Sequence, residues 1–153
     1  MKDFINRLSR FFLHRSAGLL LIRVAVGMVF FMHGWSKVHN LPGTEGMFAQ
    51  MGFGAATGDL IAWLELLGGA SMVIGFLTRV FGVAFGIEMI VAFFTTGGFG
   101  AGYRPHELEL VLMLLAFGIA LTGSGRFAIY PMECKDCGGM LCNEGEDCPK
   151  EMK

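Results

Sequence analysis

Residues 16–38 read SAGLLLIRVAVGMVFFMHGWSKV, and this stretch decides the fold. A helix needs about 20 mostly apolar residues to cross the hydrocarbon core of a bilayer. Runs of similar character follow at 58–78, 79–96 and 105–123. Buried helices of a soluble bundle would keep a polar outer stripe, and none of the four runs has one. The sequence therefore predicts an all-α integral membrane four-helix bundle, followed by a short cysteine-rich C-terminal tail.

The overall composition agrees with a membrane protein. The chain has 153 residues, of which 54% are hydrophobic and 16% charged, whereas soluble domains carry about 25% charged residues. A net charge of -1, without a basic stripe, excludes nucleic acid as a partner. We divide the chain into a basic amphipathic lead-in (1–15), a four-helix domain (16–130) and a cysteine-rich tail (131–153). An ordinary positively charged flank is an equally good interpretation of the lead-in.

The distribution of basic residues predicts the orientation. Lysine and arginine accumulate on the cytoplasmic side of a membrane. With four spans, the two chain ends and the connection between spans two and three lie on one side of the membrane. That side carries Lys2, Arg7, Arg10, Arg15, Arg79 and Arg126. The other two connections, on the opposite side, have only Arg104, with Lys37 at the margin. We therefore expect both termini in the cytoplasm and a multi-pass protein of the plasma (inner) membrane.

All four cysteines lie in the tail, at Cys134, Cys137, Cys142 and Cys148. Cytoplasmic thiols stay reduced, so clustered cysteines there indicate metal or redox chemistry rather than structural disulfides. The spacing C-x2-C-x4-C-x5-C-P begins like a zinc knuckle, but its pairs lie closer together than the usual 15–20 residues. Zinc, an iron–sulfur cluster and a thiol-bearing tail without metal all stay open.

Ionisable residues inside a membrane span are costly, and they are usually paired or functional. At about 100° per residue, Arg23, His33 and Lys37 share one face of the first span. Glu65 and Glu88 lie in the middle of the second and third spans. Glu107 and Glu109 begin the fourth span about 200° apart, so only one of them can point into the bundle.

These side chains predict a polar pocket in the outer half of the bundle. We expect His33, Lys37, Glu65 and Glu109 to be its catalytic residues. The candidate cofactor-binding residues are Arg23, Trp35, Trp63, Glu88 and Glu107. A quinone suits such a pocket, because its reduction takes up protons that a histidine and a carboxyl group can supply. The competing interpretation is that these charges are internal salt bridges that only fix the helix register.

Several stretches together resemble the DoxX family of small four-helix membrane proteins. They are LIRVAVGMVFFMHGWSKV (21–38), WLELLGGASMVIGFLTR (63–79) and ELELVLMLLAFGIALTGSGRFAI (107–129). Tyr130 stands where the family usually has an aspartate, and the cysteine tail is not a general family feature. The resemblance implies a four-helix membrane protein that is often linked to quinone-dependent redox chemistry of sulfur compounds.

Three functions follow for testing. The first is a redox subunit that binds quinone, with a protein partner in a membrane redox complex. The second is a non-catalytic scaffold whose tail is a zinc-stabilised docking element. A transporter that uses Glu88 is the third, but no inverted repeat or proline-interrupted span supports it. The glycine pair Gly82 and Gly86 permits homo-oligomers and internal packing equally.

Overall fold

A computed structural model describes residues 15–101, 106–125 and 127–129. Within these ranges all regular structure is helical. The elements are α1 (Arg15–His39), α2 (Leu41–Gln50), α3 (Ala55–Ile74), α4 (Thr78–Thr95), a 3-10 turn (Gly98–Ala101) and α5 (Glu107–Thr122). Of the predicted lead-in only Arg15 is included. The four tail cysteines and Arg126 lie outside the described residues, and with them the predicted metal site.

The chain is an all-α integral membrane protein built on four long helices, as predicted. Three stretches are long and apolar enough to cross a bilayer, namely Ser16–His39, Ala56–Ile74 and Thr78–Thr95. The fourth long helix, α5, has 16 residues and therefore extends over about 24 Å, less than the predicted run 105–123. Large apolar side chains cover the outside of the bundle, and Leu121 is 75% exposed. Such a surface requires lipid rather than water.

The four long helices form two close pairs. Helix α1 packs along α3, and α4 packs along α5, whereas the contacts between the two pairs are fewer. A parallel stack of Phe30 on Phe85, with ring centroids 3.8 Å apart, joins the pairs near the middle. The space left between the pairs is where a cavity can form.

Glycines allow each pair to pack closely. A Cβ on Gly34 would lie 2.7 Å from the Cα of Leu66, and a Cβ on Gly27 would lie 2.8 Å from the carbonyl oxygen of Gly69. In the second pair, a Cβ on Gly82 would lie 2.8 Å from the carbonyl oxygen of Ala116. Small residues bring membrane helices together in this way. The glycines of α4 therefore pack against α5 within the chain.

We call the end where α3 leads into α4 the proximal end, and the end where α1 leads into α2 the distal end. At the proximal end, the buried guanidinium of Arg23 donates hydrogen bonds to the carbonyl oxygens of Ser124, Phe127 (2.5 Å) and Val73 (3.5 Å). The amide of Ile129 also donates to the carbonyl of Ile74 at 3.3 Å. Arg23 therefore fixes the segment after α5 against the bundle.

Candidate functional site

A cavity of about 540 Å³ lies between the two helix pairs in the distal half of the bundle. Most of its lining is apolar, from Val29 and Phe30 on α1 to Leu112 on α5. Met47 and Phe48 of the short helix α2, and Met51 directly after it, contribute to the lining at the distal end. The ionisable residues that reach the cavity are His33, Lys37, Glu65, Glu88 and Glu109. This is an apolar chamber with a few polar groups, the composition that small-molecule sites usually have.

The strongest polar contact in the cavity is the ion pair between Lys37 and Glu65. The Lys37 Nζ lies 2.6 Å from Oε1 of Glu65. The Glu65 side chain is only 3% exposed and that of Lys37 is 20% exposed. The Lys37 ammonium also lies 6.0 Å from the ring centroid of Phe48, within the usual range of a cation–π contact. The pair therefore holds a charged carboxylate deep in the bundle.

The close approach at Gly34 determines where this pair forms. A Cβ on Gly34 would lie 2.8 Å from the carbonyl carbon of Glu65, so α1 and α3 are closest at the level of that residue. Lys37 follows Gly34 by three residues, which places it about one turn further on the same face. Its long side chain can then reach back to the carboxylate.

Glu88 brings a second carboxyl group to the same point. It lies next to Glu65 and near the Lys37 ammonium group. Oε2 of each glutamate is buried and accepts no hydrogen bond from the residues that the structure describes. Two carboxyl groups and one ammonium group therefore meet at the cavity.

A separate pair approaches the cavity from the start of α5. The Nδ1 atom of His106 lies 2.6 Å from Oε2 of Glu109 and 3.3 Å from Oγ1 of Thr96. The ring of His106 also meets the ring of Phe93 edge-on, with centroids 5.2 Å apart. His106 is 2% exposed, whereas Glu109 and Thr96 line the cavity.

The structure brings together five of the nine predicted residues and separates the other four. His33 lines the cavity and is exposed, so it lies where the cavity opens. Arg23 is 14 positions before Lys37 on α1 and therefore about 21 Å away along the helix. Its hydrogen bonds are made at the proximal end, so the expectation that it shares the cofactor pocket requires correction.

The two tryptophans and Glu107 also lie outside the cavity, contrary to expectation. Trp35 and Trp63 are 49% and 47% exposed, and neither lines the cavity. Each stands two positions from a lining residue, Lys37 or Glu65, and two positions on a helix are about 200° apart. Glu107 stands two positions before Glu109, which lines the cavity, and Glu107 is exposed. Glu109 is therefore the member of this pair that points inward.

Sequence reasoning missed His106 and the helix α2. His106 lies inside the predicted fourth run, 105–123, but is not among the predicted site residues, although its position three residues before Glu109 is the spacing at which helical side chains meet. The segment 39–57 was treated as a loop, yet α2 occupies 41–50 and supplies part of the cavity lining.

These features define a class, namely an integral membrane helical bundle with ionisable groups gathered at one apolar cavity. Within that class the chain belongs to the DoxX family, whose model matches residues 18–98. The match includes Lys37, Glu65 and Glu88, and it ends before Glu109.

Two curated relatives agree with this assignment. The chain is 36% identical over 118 residues to "Putative oxidoreductase CatD" of Bacillus subtilis (strain 168), which covers 77% of this chain and 88% of that protein. It is 29% identical over 117 residues to "Inner membrane protein YqjF" of Escherichia coli (strain K12), covering 73% and 88% respectively. No solved structure matches this chain.

Proposed function

We propose that this DoxX-family protein is a redox subunit whose distal cavity binds the head group of a quinone. One observation carries the proposal: Lys37, Glu65 and Glu88 converge on an apolar cavity of about 540 Å³, and two buried carboxyl oxygens there have no hydrogen-bond donor among the described residues. Pockets for small molecules commonly measure about 300–1,000 Å³. The oxidoreductase name of the Bacillus subtilis relative supports a redox role.

The lining residues fit a quinone in two respects. A quinone head is a flat apolar ring with carbonyl oxygens at its edge, so it needs apolar walls and a small number of hydrogen-bond donors. The aliphatic and aromatic lining supplies the walls. The Lys37 ammonium supplies one donor, and a protonated carboxyl group of Glu65 or Glu88 would supply another.

A bound quinone supplies two-electron chemistry, and its full reduction takes up two protons. The electrons come from a partner redox protein, which makes this chain one subunit of a larger assembly. Glu65 and Glu88 both line the cavity, so a proton bound to either carboxyl group would be released into the cavity at a fixed position. The apolar lining keeps bulk water away from this group.

A test of the cavity compares Glu65→Gln and Glu88→Gln with Glu45→Gln, whose carboxyl group does not line the cavity. Each variant is purified in mild detergent and supplied with decylubiquinone, and an electrode with a soluble mediator supplies the electrons. We expect both cavity variants to insert normally but to reduce quinone about 10²-fold more slowly, the low end of general acid–base effects. Full rates in both variants would instead support a scaffold in which the charges only hold the helices together.

We also propose that both termini face the cytoplasm, because basic residues precede α1 and occur again at Arg79, in the first turn of α4. The native cysteines make this testable, since all of them lie in the tail. A membrane-impermeant thiol reagent should label the chain only after cells are permeabilised. In a cysteine-free background, Gly46→Cys on α2 should label in intact cells. The opposite pattern would reverse the orientation.

The tail is proposed to bind a metal through Cys134, Cys137, Cys142 and Cys148. Elemental analysis and a visible spectrum of the purified protein distinguish the alternatives. One zinc per chain without a chromophore indicates a docking element, whereas iron with a sulfide-type absorbance indicates electron transfer. Replacing Cys134 and Cys137 by serine should release the metal in either case. Protein that contains neither metal would contradict the proposal.

A further inference from the structure

We propose that His106 passes protons from the distal surface to the cavity through Glu109. The inference rests on the proposed function, because it supplies the protons that reduction of a quinone would consume. It concerns a residue outside the Lys37 cluster and outside the stretch that the family model matches, 18–98. His106 acts through Glu109, which makes it a positioning and proton-transfer residue for the carboxyl group at the cavity.

Two independent observations support this role. First, His106 is 2% exposed and its Nε2 is buried, with no hydrogen-bond partner in the part of the chain that is described. A buried imidazole nitrogen without a partner is costly and calls for an explanation. Second, the opposite nitrogen, Nδ1, lies 2.6 Å from a carboxyl group that lines the cavity. The ring therefore has one nitrogen committed to the cavity and the other available.

Histidine is suited to this transfer because its two ring nitrogens can exchange roles. A water molecule that reaches the buried Nε2 from the distal surface gives it a proton, and the Nδ1 proton moves to Oε2 of Glu109. The ring is left neutral with its proton on Nε2, and Glu109 becomes a neutral carboxylic acid that can release the proton into the cavity. One proton has moved inward, and no electron has been transferred.

Helix capping does not account for the arrangement. His106 occupies the N-cap position of α5, but its side chain makes no capping hydrogen bond to the helix backbone. Its polar contacts go to Glu109 and Thr96. Thr96 directly follows the last residue of α4, the other helix of the pair, and it contacts Nδ1, so it helps to fix the ring orientation.

The test uses His106→Asn, which keeps a nitrogen donor in the position of Nδ1 but cannot pass a proton. The matched control is His39→Asn, because His39 is exposed at the same end and does not line the cavity. In electrode-driven reduction of decylubiquinone, we expect His106→Asn to be about 10²-fold slower with unchanged quinone affinity. We expect His39→Asn to match the wild type.

Chemical rescue separates proton transfer from a structural role. Added imidazole should restore much of the rate of His106→Ala, whereas it should leave Glu109→Gln slow. A wild-type rate in His106→Asn, or a slow His106→Ala that imidazole does not accelerate, would overturn the relay and leave quinone binding intact. If the wild type itself fails to bind decylubiquinone, the proposed function is what fails.

Discussion

The Lys37–Glu65 pair gives the most quantitative prediction. At 2.6 Å and an effective dielectric constant of about 20, the attraction between two unit charges is about 6 kcal/mol. Removing each ion from water costs several kcal/mol, so the intact pair contributes little net stability. Replacing Lys37 alone leaves the charge of Glu65 buried and unpaired. We therefore expect Lys37→Met to lower the free energy of unfolding by about 3 kcal/mol, the low end for breaking a buried pair.

The double variant Lys37→Met/Glu65→Met removes both charges and should recover most of that loss. A deficit of about 1 kcal/mol should remain, because Glu88 loses its hydrogen-bonding neighbour. Unfolding is followed by circular dichroism as the detergent is exchanged for a denaturing one, with Glu45→Met as the control for side-chain replacement. A loss under about 1 kcal/mol in Lys37→Met, as for an exposed ion pair, would refute the burial of this pair.

The remaining predictions concern helix packing and the proximal end. Gly34→Ala places a Cβ 2.8 Å from a carbonyl carbon of α3, so we expect a loss of about 1–3 kcal/mol in the same unfolding assay. Gly46→Ala, with nothing within 4 Å of its Cβ, should be neutral or slightly stabilising; equal effects at the two glycines would contradict the packing argument. Arg23→Leu should release the segment after α5, which can be measured as slower disulfide formation between Ile74→Cys and Ile129→Cys in a background without the tail cysteines. An unchanged rate would show that Arg23 does not hold that segment.

The fold could be predicted from the sequence because the length of an apolar run corresponds directly to a membrane crossing. The helix α2 within the connection 39–57 could not, because Pro42 and Gly43 are residue types that also mark turns and loops. Proline is favourable in the first turn of a helix, and Asn40 caps α2 by accepting a hydrogen bond from the amide of Gly43 at 3.3 Å. The same residue types therefore fit both a loop and the start of a helix, and the sequence does not distinguish the two.

The site was predictable to the extent that helical angle and depth determine it. For Lys37 and Glu65, the helical angle and the depth read from the sequence agree with their positions at the cavity. Angle alone grouped Arg23 with them, although its guanidinium donates hydrogen bonds to carbonyl groups at the other end. Trp35 was included for its closeness in sequence, while its helical angle already placed it on the opposite face. The pairing of the helices, and the cavity between the pairs, depend on contacts between helices, such as Phe30 against Phe85. The pattern of a single helix does not reveal these contacts.

Photo-labelling with an aryl-azide derivative of ubiquinone tests the central claim most directly. If the cavity binds quinone, the label should map to lining segments such as 29–37 and 84–92, and excess decylubiquinone should compete with it. Ala92→Phe, which fills the cavity, should abolish the labelling, whereas Ala25→Phe on the exposed face of α1 should not. The account would be contradicted if the label mapped to lipid-facing residues, if excess decylubiquinone did not lower the labelling, and if both variants were labelled equally.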